Sequence, residues 1–167
     1  MKPRYLFIYL LLIATSYNCT TVRVASNKAT NYNHKLSKVF VITQSEAKAS
    51  KVTATLSEKL MEAFKENEIH GRFELKSSLS IKTDTEYINK VKEYNPNQLM
   101  IIKQTAVNYR TPTIINAINF EINILDYTSN TIVWKGELEI YGQVGVDTSI
   151  ERSINKLILK LRKDKLI

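Results

Sequence analysis

Four groups of side chains in this sequence have types and spacings that could do chemistry. Cys19 is the one thiol of the chain, and a thiolate is a nucleophile that can be alkylated or acylated. Glu137 and Glu139 stand two apart. On a strand both carboxylates then point to one side, as a general acid and base would need to. Lys135 alternates with them, and on a wet strand face such residues ordinarily form cross-strand ion pairs. We therefore expect no catalytic pair. Trp134 belongs to the apolar side of the same strand, where it either packs in the core or offers an aromatic platform to a sugar or peptide. Arg152, Lys156, Lys160 and Lys163 recur at helical spacing. They form a basic stripe that is either a solvated face or an interaction site for phosphate, lipid headgroups or an acidic protein.

Other chemistries are excluded more firmly. Two His and one Cys do not make a His-rich tract or a zinc site that needs several Cys. His34 falls in a polar segment, and His70 is expected at a helix end, where a cation suits the dipole. The chain carries no phosphate-cradling glycine loop, no H-E-x-x-H and no G-x-S-x-G. The expectation is a protein without catalytic residues, metal or cofactor. Its net charge of +8 suits an acidic partner, but the N-terminus argues for export and so against nucleic acid.

That N-terminus has Lys2 and Arg4, then an apolar run from Tyr5 to Ala14, then small and polar residues up to Cys19. Basic flank, short apolar segment and small residues are the layout of a secretory signal peptide. The run is far short of the ~20 residues that span a bilayer. Its position relative to Cys19 resembles the lipobox of bacterial lipoproteins, although Asn18 and Tyr17 replace the usual small residues. The resemblance implies a signal peptide over residues 1–18 and acylation, palmitate included, at Cys19. Residues 19–37 then read as a lipidated Cys and a flexible tether, rich in Thr, Ser and Asn. The first acid of the chain is Glu46. By the same resemblance, the missing acids after Cys19 imply a protein that faces the periplasm from the outer membrane.

The elements that must position these groups begin at Lys38. Val39 to Ile42 form an unbroken apolar run, as in a strand buried on both faces. Ala49, Val52, Leu56, Leu60, Ala63 and Phe64 repeat at helical period between Glu46 and Asn67, with Gly71 as the left-handed cap. Arg72 to Leu75 read as a short strand that is exposed at a sheet edge. Asp84 to Tyr94 form a second helix, stopped by Asn95-Pro96. Gln98 to Tyr109 form a central strand. Ile118, Phe120, Ile122 and Ile124 alternate with Asn119, Glu121 and Asn123; Ile132, Trp134, Leu138 and Ile140 alternate with Lys135, Glu137 and Glu139. These two runs make an antiparallel hairpin with one wet face, turned at Asn130. A last helix covers Thr148 to Lys165, burying Ile150, Ile154, Leu157, Ile158 and Leu161. The pattern predicts one α/β domain of the α+β type over 38–167. It has a single mixed sheet, order β-α-β-α-β-β-β-α, with helices mainly on one face.

The element order resembles that of periplasmic α/β domains of bacterial envelope proteins: the amino-terminal domain of TolB, CsgG, and LpoB-type activators. The helix ending in Gly71, the strand Leu99 to Ile102 after an Asn-Pro turn, and the hairpin from Ile122 to Gly136 carry the likeness. It implies a binding or assembly domain without catalysis. No segment is long enough for extra membrane-spanning hairpins, so a CsgG-like pore is disfavoured. The leading functional expectation is a membrane-anchored module, held by acylated Cys19, that binds an unidentified envelope protein or copies of itself. The alternative is a small-ligand or glycan-binding lipoprotein with a groove beside Trp134 or beside Tyr87, Tyr94 and Tyr109. An enzyme with an unrecognised site is the third.

Overall fold

The structure, a computed structural model, describes residues 21–142 and 145–167. Its six strands are β1 (Thr21–Lys28), β2 (Lys38–Ser45), β3 (His70–Ser77), β4 (Gln98–Thr111), β5 (Ile114–Asp126) and β6 (Thr131–Tyr141). They form one mixed sheet in the order β1-β6-β5-β4-β2-β3. β2 runs parallel to β3 and β4, and the other pairings are antiparallel. The helices are α1 (Ser50–Glu66), α2 (Asp84–Tyr94) and α3 (Ile150–Lys163). The α/β fold with a single mixed sheet is as expected from the sequence.

β2 explains the two layers. Val39, Phe40 and Val41 are all fully buried, because successive side chains point to opposite faces and both faces are covered there. Val39 and Val41 belong to the main core with Leu56, Leu60 and Phe64 of α1 and Leu157 and Leu161 of α3. Phe40 points the other way and meets the Tyr94 ring of α2 edge-on, centroids 5.6 Å apart. Handedness accounts for this split. The β2-α1-β3 crossover steps outward, and β3-α2-β4 steps back across β2. Two right-handed crossovers in opposite directions must put their helices on opposite faces. So α1 and α3 share one face, and α2 roofs only the β3-β2-β4 half of the other.

Local chemistry fixes the helix ends. Thr83 caps α2 by accepting from the Glu86 N–H at 3.3 Å, while Glu86 accepts from the Thr83 N–H at 2.6 Å. This reciprocal box satisfies two N–H groups that the helix leaves open. Asn95 ends α2 in the left-handed region. The end of α1 differs from expectation. Asn67 is its C-cap and Glu68 takes the positive φ. Gly71 lies in β3 instead, where a Cβ would come within 2.7 Å of Met61 Sδ. The glycine serves close packing of α1 on the strand, and His70 begins that strand rather than ending a helix.

The largest departure is at the N-terminal side. Residues 19–37 were expected to be a tether. In the structure Thr21–Lys28 are β1, paired residue for residue with β6 from Thr21↔Tyr141 to Lys28↔Trp134. Tyr32 and Leu36 are buried, and the Leu36 N–H donates to the Leu166 carbonyl at 2.8 Å. The segment is part of the core because Val22, Tyr32 and Leu36 close the gap beside α3. A second correction concerns Ile132, expected inward and found exposed. An irregular register between Ile124 and Leu125 places Val133 in the core instead.

One buried polar pair joins α1 to the sheet. Thr43 Oγ1 and Ser57 Oγ lie 2.8 Å apart, and Ser57 Oγ also donates to the Thr53 carbonyl at 2.9 Å. With its own proton so used, Ser57 must accept from Thr43. Ser57→Ala then orphans a buried donor and is expected to cost about 1–3 kcal/mol, whereas Thr43→Val combined with Ser57→Ala removes both groups and is near neutral. Urea melts of the single and double variants check this; additive losses would refute the pairing.

Candidate functional site

Cys19 lies outside the described residues. The other expected site residues do not converge. Trp134 is 1% exposed and its Nε1 donates to Asp164 Oδ2 at 2.8 Å. A ring sealed in this way is no platform for a sugar or peptide, which corrects that reading. The tyrosines do not form a groove either. The Tyr87 hydroxyl donates to the Leu75 carbonyl at 3.0 Å and the Tyr94 hydroxyl to the His70 carbonyl at 2.9 Å, both fastening α2 to β3. Tyr109 packs against the main core on the opposite face.

The basic stripe of α3 is partly spent within the fold. Lys156 Nζ donates to the Val22 carbonyl at 2.7 Å, covering a backbone group on the edge strand that would otherwise invite pairing. Lys160 Nζ meets Asp164 Oδ1 at 3.1 Å. Arg152 and Lys163 are exposed. Sequence spacing correctly placed the four on one helical side. It could not show that this side borders β1, because β1 was not recognised.

Asp164 is the node of this corner. It accepts from Ser26 Oγ, Trp134 Nε1 and Lys160 Nζ. Burial by itself would raise its pKa; the three donors outweigh it and hold the carboxyl below its ordinary value. At the far edge, Glu74 of β3 is held the same way. Burial opposes ionisation, and the ammonium groups of Lys90 and Lys82 more than offset it.

The face left bare is more informative. Opposite α1 and α3, no helix among the described residues covers the β5-β6-β1 half of the sheet. Asn119, Glu121, Lys135, Glu137, Glu139 and Arg23 point from it. Register sets Arg23 beside Glu139 and Glu121 beside Glu137. The first pairing is complementary. The second puts two carboxylates opposite each other, which a strand pair disfavours, and Asn123 Nδ2 donates to Glu121 Oε1 at 2.6 Å. Two open depressions lie on this half, about 400 and 360 Å³, the first lined by Asn27, Glu121, Lys135 and Glu137, the second by Arg23, Asn119, Glu139 and Tyr141. Among the described residues no group of three or more His, Cys, Asp or Glu is placed to hold a metal. The arrangement is a charged sheet face with open depressions.

A single mixed sheet with two helices packed on one face and one helix over part of the other is therefore the class of domain in hand. It is similar in fold to PelC from Paraburkholderia phytofirmans, solved as a dodecamer: TM-score 0.55 at 13% identity, covering 84% of this chain and 95% of that one. A point variant of that dodecamer gives 0.53. Lipoprotein GNA1162 from Neisseria meningitidis superposes with TM-score 0.47 at 8% identity, over 77% of this chain and 99% of that one. At such identities the PelC likeness is one of fold. No protein-family model and no curated protein matches the chain.

Proposed function

We propose that the chain is a non-catalytic lipoprotein, anchored through acylated Cys19 at the outer membrane and facing the periplasm, that works as a protein-interaction or envelope-assembly module. The bare β5-β6-β1 face carries this reading. It presents charged and polar side chains around depressions that are open rather than enclosed, a form accessible to another surface. The lipobox-like start supports the anchor, and among the described residues no helix is long and apolar enough to cross a membrane. That PelC assembles as a dodecamer supports copies of this chain as one partner.

Two measurements test it. Intact-mass analysis of protein extracted from membranes is expected to show acyl chains on a chain beginning at Cys19, and Cys19→Ala is expected to shift the protein almost wholly to the soluble fraction. A photo-crosslinking residue at Glu137 is then expected to capture one defined envelope protein or a second copy in cells. An acylated chain that crosslinks to nothing from this face would sink the interaction reading.

A further inference from the structure

The geometry points to a second membrane contact: the tip of the β4-β5 hairpin, from Arg110 to Ile114, rests in the lipid headgroup layer. The inference builds on the lipid anchor proposed above and adds which end of the domain meets the lipid and with what residues.

Register sets the relative heights. Thr21 pairs with Tyr141, Tyr141 with Ala117, and Ala117 with Asn108. These four residues form one row across the sheet, and β1 enters the domain at that row. β4 and β5 do not stop there. They continue through Tyr109↔Ile115 and Thr111↔Ile114, overhanging the row by about three residues, or ~10 Å at the rise of a strand. Cys19 precedes Thr21 by two residues, a reach of at most about 7 Å. The interfacial layer on each side of a bilayer is of similar depth, roughly 6 Å. A domain held this closely by its first strand therefore brings the overhanging tip down to the headgroups.

The chemistry of the overhang fits that place. Between Glu93 and Glu121 the chain has no acid, so the overhang itself carries no carboxylate to repel anionic lipid. Arg110 supplies positive charge two residues before Pro112. Ile114 in the overhang is an exposed large apolar side chain at 38%, and Tyr141, in the row where β1 enters, exposes its ring at 44%. Aromatic, basic and apolar groups together are what interfacial segments use. The opposite end of the sheet, the turn between Asp126 and Thr131, also has a tyrosine, Tyr127, and an exposed isoleucine, Ile132, beside it, but it carries the acid Asp126 and no basic residue.

The test uses the full chain, purified from membranes and reconstituted in vesicles of phosphatidylethanolamine and phosphatidylglycerol. Thr113→Cys and, separately, Thr128→Cys receive an environment-sensitive fluorophore; the Cys19 thiol is already consumed by lipid. Intact mass of each preparation reads the acylation. The expected result is several-fold stronger quenching by spin-labelled lipid at position 113 than at 128. Equal quenching at the two positions on fully acylated protein overturns the tip contact and leaves the anchor standing. Absence of acyl chains from Cys19 overturns the anchor itself, and the tip contact with it.

Discussion

Replacing Asp164 by Ala is expected to lower the unfolding free energy by about 3 kcal/mol. Its carboxylate receives Ser26, Trp134 and Lys160 at once, so its removal leaves a buried indole N–H and a part-buried ammonium without their partner. The same corner sets part of the acid sensitivity. The Asp164 carboxyl is depressed below its ordinary value of 3.8. Its contribution is complete above that value and is lost as pH falls through the lower folded one. Chemical melts between neutral pH and about pH 2 should show wild type and Asp164→Asn far apart at neutrality and converging in acid. A constant gap across the series would mean that the carboxylate's charge plays no part.

Gly136→Ala is expected to be as damaging for the opposite reason. A Cβ there would stand 2.2 Å from the far edge of the Trp134 ring, and that ring is walled in by the core. Overpacking of this kind costs roughly 1–3 kcal/mol, and more when nothing can yield. Trp134→Phe shortens the side chain and opens the space. In a double-mutant cycle the alanine should then cost much less in the Trp134→Phe background than beside the native indole, giving a coupling above about 1 kcal/mol. Additive effects would show that the ring is not what Gly136 makes room for. The pair explains a glycine in the middle of a strand, where it is otherwise unfavourable.

Most of the fold was legible because most of its elements bury a periodic apolar stripe. Asp84–Tyr94 was bounded from sequence as it stands in the structure, with Asn95-Pro96 marking its end chemically. The inward isoleucines of β5 and the stripe of α3 were legible for the same reason. Asn130 takes the left-handed turn position assigned to it. β1 was missed because its inward positions are Val22, Val24, Ser26 and Lys28, only two of them apolar. Ser26 faces inward to bond Asp164, a partner 138 residues away, and no local pattern encodes that. Trp134 illustrates the limit for the site. Its place on the apolar side was readable, whereas its closure by Asp164 and Gly136 depends on contacts that only the folded chain brings together.

The position of β1 has a consequence for how the chain reaches its native state. The first strand is made first but finds its neighbour β6 only after nearly the whole chain is available; the bond from Lys156 to Val22 spans 134 residues, and that from Ser26 to Asp164 spans 138. Closing loops of that length is slow, and late pairing governs folding speed in sheets of this kind. A nascent chain therefore cannot complete this domain until its C-terminus has emerged, which keeps the edge of β6 open meanwhile and makes that interval the one in which a chaperone has most to protect.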